Sequence, residues 1–403
     1  MLLKTLVPLS AMTLLLAGMT YAGAQQNDPV TIGVVGDHGV YSAVSGMGSV
    51  IAARMAAEDF GGKALGLPIE VIFADHQSKP DVASSIARDW IDSKGVDAFA
   101  DGSSSSAALA INEVARKANK AFLVSGAGSP NFHGSACTPI TTHWAFDTYS
   151  LSNSTAQALL KQNQDTWYFI TADYNYGHSL QKDMSRFVAE AGGKVVGSVG
   201  HPLNSQDFSS YLLQAQSSKA KVVALANAGT DFVASTKQAS EFGIVQSGQQ
   251  LVALSGMIPD VHAIGLEAAQ GLILTESFYW DMTDNTRAWT KRFMERNQGK
   301  APTQIHAATY AAVTHYLKAV EAVGSTDGAA VTAKMKETPI NDFYNKDVKI
   351  RKDGRVLIPV HVFRVKKPAE SKGPWDLYAE VMEINGDNAY RPIEEGGCPL
   401  VNG

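Results

Sequence analysis

The sequence predicts an α/β protein built as two doubly wound, parallel-sheet lobes. Three observations carry that prediction. Short β-branched or apolar runs alternate with amphipathic segments of helical period along almost the whole chain, which is the pattern of parallel sheets flanked by helices. The alternation comes as two successive series, the first opening at Val30 and the second at Thr166. The chain is 403 residues long, more than one hydrophobic core usually serves, which favours two domains.

The elements follow in order. Val30 to Val35 reads as a strand and Ser45 to Asp59 as a helix; Ile69 to Ala74 and Asp81 to Ser93 repeat the pair. Val96 to Ala100 and Ala121 to Val124 are two more strands, with a helical pattern from Ala107 to Ala118 between them, and Thr148 to Lys161 is the next helix. The second series sets strands at Thr166 to Thr171, Lys194 to Val199 and Lys221 to Ala226 against helices at Ser179 to Ala191, Phe208 to Ser217 and Phe232 to Phe242. Leu251 to Leu254 and Leu272 to Leu274 are short strands, and Thr286 to Asn297 and Ala307 to Ala322 are helices. The pattern then changes. Val348 to Lys352 and Arg355 to Arg364 read as a hairpin about Asp353-Gly354, Pro368 to Pro374 interrupts, and Leu377 to Ile384 is a last strand. A tail of antiparallel strands implies several crossings between lobes, placed near Phe146, Tyr279 and Val360. That gives one lobe from 25–145 with 280–359 and another from 146–279 with 360–403.

The N-terminus indicates export. Met1-Leu-Leu-Lys4 is a basic start, Thr5 to Ala17 is apolar, and Ala22-Gly-Ala24 offers a small-residue cleavage site, together a signal peptide over 1–24 and a periplasmic destination. No Cys stands at the cleavage site to carry a lipid anchor, and no later run approaches 18 apolar residues, so no membrane insertion of the mature chain is expected. Cleavage leaves 33 Lys and Arg against 39 Asp and Glu, a net −6 that argues against nucleic acid and anionic membrane as partners. The two cysteines, Cys137 and Cys398, read first as a disulfide in an exported chain; two free thiols or a catalytic thiol are the alternatives.

Two small-residue turns stand out, Ala100-Asp-Gly-Ser-Ser-Ser-Ser-Ala-Ala108 and Ser125-Gly-Ala-Gly-Ser-Pro130. Each ends an apolar run, and the first opens a helix. Small residues let a ligand approach the backbone, and Ser hydroxyls with the free N–H groups of a helix start suit an anion such as a carboxylate. Two ordinary Ser-capped loops are the alternative. Ligands of open parallel sheets lie outside the carboxyl ends of the strands. The loops Gly36 to Ser45, Asp75 to Lys79, Asp173 to His178, Asn227 to Asp231 and Ser255 to Asp260 are therefore expected to face one cleft along with the two turns.

Taken in this order, Thr31-Ile-Gly-Val-Val-Gly36, the Ser103 to Ser106 turn, Ser125-Gly-Ala-Gly-Ser129, Asp173-Tyr-Asn-Tyr-Gly177 and Arg351-Lys-Asp-Gly-Arg355 resemble the type I periplasmic binding proteins of ABC importers for branched-chain amino acids and amides. The resemblance spans essentially the whole mature chain. It implies two lobes on a three-stranded hinge that close over one ligand, with an inner-membrane permease and its ATPase as partners, and a monomer is expected. It also implies that Ser103, Ser104, Ser105, Ala127, Gly128 and Ser129 hold the ligand carboxylate. Tyr176 would cover the ligand from the second lobe, and Tyr41 occupies a place where such proteins put a side chain into the cleft.

One departure is visible. No residue clearly matches the acid that holds the ammonium group in the amino-acid binders; Asp231 lies at a suitable strand end, and Ser255 to Asp260 leaves the matter open. Tyr279 and Trp280, near the second crossing, read either as aromatic cleft residues, which with no committed acid would suit an aromatic acid, or as hinge packing. No catalytic role, metal or cofactor is expected. The chain lacks a G-x-S-x-G elbow and metal-ligand spacing, Gly46-Met-Gly48 lacks a third glycine, and His76, His133, His143 and His178 read as polar loop residues. A ligand sensor of the same fold, or an exported hydrolase using Ser104, are the competing functions.

Overall fold

A computed structural model describes residues 28–39, 41 and 43–401; the signal peptide read at 1–24 lies outside them. The first sheet holds β1 (Val30–Gly36), β2 (Lys63–Ala64), β3 (Leu67–Asp75), β4 (Val96–Asp101), β5 (Ala121–Val124) and β6 (Thr141–His143), in the order β2-β3-β1-β4-β5-β6. All its pairings are parallel except β2 with β3. The second sheet holds β7 (Thr166–Ala172), β8 (Lys194–His201), β9 (Val222–Ala226), β10 (Gln250–Ala253), β11 (Ile273–Glu276), β12 (Val360–Val365) and β13 (Tyr378–Ile384), in the order β13-β12-β11-β10-β9-β7-β8. Its β12 is antiparallel to both neighbours. This is the fold of the type I periplasmic binding proteins, two doubly wound lobes.

The central strands are buried along their whole length, β1 and β9 at every residue, because helices cover both faces of each sheet. The helix Gly46–Asp59 turns Val50, Ala52, Ala53, Met55 and Ala56 inward and lies against the helix Gln304–Val323. Gly48 permits that approach, since any Cβ there would overlap the His306 ring. One apolar core extends from lobe to lobe through Trp144, Phe146, Phe278 and Tyr390.

Three sequence expectations are corrected. Arg355 to Arg364 is not one strand. Ile350 and Val356 make a single antiparallel bridge around Gly354, Arg355 bridges His143 of the first sheet, and only Val360–Val365 becomes β12 of the second. The break falls at Ile358-Pro359, where proline has no N–H for a ladder. The helix Ile258–Ile264 begins inside a stretch read as loop, and the helix Gly328–Glu337 and the short β6 lie where no element was assigned. From Tyr390 the tail also departs from the second sheet: the Tyr390 hydroxyl donates to the Ala145 carbonyl at 3.4 Å, Arg391 donates to the Pro130 carbonyl at 3.3 Å, and Cys398 is disulfide-bonded to Cys137 with Cα atoms 5.7 Å apart. The disulfide reading of the two cysteines therefore holds, and it is what draws the tail back across the hinge.

Candidate functional site

Each sheet has one place where neighbouring strands send their following loops to opposite sides, between β1 and β4 in the first lobe and between β7 and β9 in the second. Such a switch point leaves a crevice at the strand ends. The two crevices face one another across a single cavity of about 480 Å³.

In the first lobe the Ser turn is built on unusual backbone. Asp101, Gly102 and Ser104 have φ of 73°, 68° and 75°, a left-handed path that a non-glycine residue adopts only when its surroundings hold it there. Asp101 is held by its carbonyl, which accepts the Ser125 and Gly126 N–H groups, and by its carboxyl, which accepts the Ser45 hydroxyl at 2.6 Å. Burial pushes that carboxyl up to about 7. The Asp37 N–H donates to Ser103 Oγ at 2.7 Å, which leaves the Ser103 hydroxyl proton free to point elsewhere. The helix Ser105–Lys117 then starts with no side-chain cap, and Ser103 to Ser106 all line the cavity. Hydroxyls and uncapped N–H groups here form a set of donors without a charge, suited to a carboxylate.

Tyr41 is positioned by Asp37. The Asp37 carboxylate accepts the N–H groups of Gly39 at 2.8 Å and Tyr41 at 3.0 Å and the Ser78 hydroxyl at 2.7 Å. Burial opposes its ionisation, but these three donors hold it below the ordinary carboxylate range. Gly128 and Ser129 also line the cavity, and the Gly128 carbonyl accepts the Thr148 N–H at 3.1 Å. Ala127 does not: its side chain packs into the first lobe's outer core, and its carbonyl is bonded to His143 Nε2 at 2.7 Å. The backbone turns its neighbours into the cavity and Ala127 away from it.

From the second lobe come Tyr174 and Tyr176 after β7, Asp231 after β9, and Ser255, Met257 and Asp260 after β10. The Tyr176 hydroxyl is 3.0 Å from Ser255 Oγ, and burial raises its phenol well above the usual range. Asp231 is 4% exposed; its Oδ2 accepts the Asn204 N–H at 3.1 Å and its Oδ1 has no partner. Asp260 accepts the Met257 N–H at 3.1 Å through Oδ2, and burial pushes it up to about 7. No Lys, Arg or His is among the described residues lining the cavity.

Tyr279 and Trp280 are not brought to this cavity. The Tyr279 hydroxyl donates to the Trp375 carbonyl at 3.1 Å and accepts the Leu377 N–H at 3.0 Å, while the Trp280 indole donates to the same Trp375 carbonyl at 2.7 Å. They fasten the β11 end to the loop before β13, so the hinge-packing reading of these residues replaces the cleft reading. Of the histidines read as polar loop residues, His76 does lie in a loop but is buried, His133 and His143 are buried in a short helical turn and in β6, and His178 is exposed on the helix Asn175–Glu190. His133, His143 and Asp147 stand close enough together to ligate a cation, but Asp147 already faces the Arg355 guanidinium at 3.5 Å and the group lies outside the cavity lining. Sequence reasoning missed Phe146, Tyr174, Asn204 and Ile305 as lining residues. Tyr174 was available as the other aromatic of the Asp173-Tyr-Asn-Tyr-Gly177 motif; Phe146 and Ile305 come from a crossing and a helix start, which no strand-end rule marks.

Two facing lobes around a cavity lined by neutral donors on one side and carboxyls on the other define a solute-binding protein. The chain matches the family model for periplasmic binding proteins over residues 29–373 and belongs to that family. It is 46% identical to a periplasmic binding protein from Burkholderia mallei, covering 93% of this chain and 99% of that one with a TM-score of 0.87. It is 38% identical to a branched chain amino acid ABC transporter periplasmic ligand-binding protein from Burkholderia xenovorans, covering 92% and 99% with a TM-score of 0.86. A Leu/Ile/Val-binding protein homologue from Brucella melitensis is 24% identical over 329 residues, 79% of this chain and 83% of its own. The family is periplasmic and its members bind small molecules for ABC transporters.

Proposed function

We propose that this protein is a non-catalytic receptor that encloses a small amino acid between its lobes and delivers it to an inner-membrane permease and its ATPase. The observation that carries this reading is the opposed chemistry of the two walls. Ser103, Ser104, Ser105, Gly128 and Ser129 offer donors for a carboxylate, and Asp231 and Asp260 offer acceptors for an ammonium group. Tyr41, Phe146, Tyr174 and Tyr176 then supply apolar surface around the body of the ligand. The lobes 25–145 with 280–359 and 146–279 with 360–389 close as units, in the hinge manner of such receptors. The mature chain acts as a periplasmic monomer released from a signal peptide over 1–24.

An aromatic acid is the second reading, favoured by those four aromatic side chains. A thermal-shift screen of amino acids, amides and aromatic acids separates the two, because a ligand that binds only the folded state raises the melting temperature by mass action. The amino-acid reading expects a shift of several degrees with an L-amino acid and none with its N-acetyl derivative, which lacks the cation. Shifts with aromatic acids alone would replace it by the second reading.

A further inference from the structure

Resting on the reading of the cleft as an amino-acid site, we infer that its ligand carries a second N–H-donating group at the end of its side chain, an ammonium, guanidinium or carboxamide, and that Asp231 and Asp260 divide the two donor ends of the ligand between them. The count of donors and acceptors in the lining leads there. The first-lobe wall can take a carboxylate with neutral donors alone, so it leaves no cation over to compensate the second lobe. The second-lobe wall presents two carboxyls, and neither forms an ion pair among the described residues. One α-ammonium group answers one of them.

The remaining acceptor capacity is specific. Asp231 is nearly fully buried, with Oδ1 unpartnered beside the cavity. Asp260 spends one oxygen on the Met257 N–H, and its other oxygen has no hydrogen-bond partner among the described residues. Behind Asp260 stands Glu276, itself buried and already engaged with the Tyr378 hydroxyl at 2.9 Å, so the protein supplies a like group there rather than a counter-charge. Closing this wall over a purely aliphatic side chain would leave a desolvated acceptor unanswered. A site built to hydrogen-bond a substrate group rejects the analogue lacking it far more strongly than it rejects a change of one methylene.

The test is isothermal titration of the intact mature protein at pH 7.5 with L-ornithine, L-lysine, L-arginine and L-glutamine against L-leucine and L-norleucine, repeated on Asp231→Asn and Asp260→Asn. The inference expects at least one donor-bearing amino acid to bind tenfold or more tightly than both aliphatic ones. It also expects one of the two substitutions to bring that ligand down to the level of leucine. Leucine or norleucine binding as tightly as every donor-bearing ligand would overturn the inference and leave the amino-acid receptor standing. Binding of no amino acid at all would overturn both. The ligand comparison needs only the unsubstituted protein, so it decides even where a variant fails to fold.

Discussion

Tyr176 of the second lobe lies against the backbone of Gly128 in the first. A Cβ at position 128 would come within 2.8 Å of Phe146 Cε2, closer than such atoms approach in practice, and within 3.0 Å of Tyr176 Cε2, a contact tighter than most. The two lobes therefore meet at a glycine whose missing side chain leaves room for both rings, within the turn assigned to the ligand carboxylate.

Gly128→Ala is expected to prop the lobes apart. Forcing a methyl into a packed contact costs about 1–3 kcal/mol, and about 1.4 kcal/mol is a tenfold change in affinity. Titration calorimetry should show ligand affinity weakened by about tenfold or more, with the melting temperature of the ligand-free protein changed little. Unchanged affinity would mean that Tyr176 and Gly128 do not meet in the bound state.

Ser103→Ala removes the acceptor of the Asp37 N–H and the hydroxyl proton that this bond leaves free. A hydrogen bond to a charged group contributes about 1.5–3 kcal/mol, so affinity should fall by about one to two orders of magnitude while the fold persists. Circular dichroism alongside calorimetry checks both halves.

Replacing Cys137 and Cys398 together by Ser removes a link between residues 261 apart in sequence. The loop-entropy estimate for so long a closure is about 5 kcal/mol and serves as an upper figure. Urea unfolding should show a loss of about 2–5 kcal/mol, and the unreduced denatured protein should present no titratable thiol.

His306 gives the protein a pH-dependent weakness in acid. Its Nε2 donates to the Ser45 carbonyl at 3.0 Å and its Nδ1 accepts the Thr303 N–H at 3.1 Å, so the buried ring has no room for a second proton, and burial brings it down to about 4. The unfolded ring takes its proton near the ordinary histidine value of 6.5, so its stabilising contribution is full above that pH and falls away down to about pH 4, by about 3 kcal/mol in all. Asp101 and Asp260, both raised to about 7, act in the opposite sense: their unfolded forms ionise near 3.8 while the folded ones stay protonated, so they lose stability as pH rises over the same range. The effect of His306 is therefore read as the stability difference between the unsubstituted protein and His306→Gln. That difference should be larger at pH 7.5 than at pH 4.5; a constant difference would contradict the assignment.

Much of this was legible in the chain because it rests on local pattern. The alternation from Val30 to Phe242 reports strands packed between helices, the central ones buried on both faces, and the Ser103 to Ser106 turn is a short run of small and hydroxyl residues visible in the sequence itself. What escaped depends on contacts far apart in sequence. Arg355 to Arg364 looks like one strand; Pro359 marks where it breaks, but only the meeting of Arg355 with His143 and of Val360 with Ile384 shows that its halves go to different lobes. Ala127 sits inside a site-like turn yet faces the core, a matter of one residue's backbone direction. Tyr279 and Trp280 have the composition of a ligand wall, but Trp375, almost a hundred residues on, claims both polar ends. Asp260 was placed at the cleft by the strand-end rule, but its role stayed open because sequence does not show that one of its oxygens is left without a partner there.

The central claim is that one cleft holds a carboxylate on the first lobe and a cationic group on the second. Isothermal titration of a single bound L-amino acid against the unsubstituted protein, alongside its N-acetyl and its amide derivatives, tests it most directly. The account predicts that blocking either end of the ligand weakens binding at least a hundredfold. Binding that survives loss of the ammonium group would contradict it.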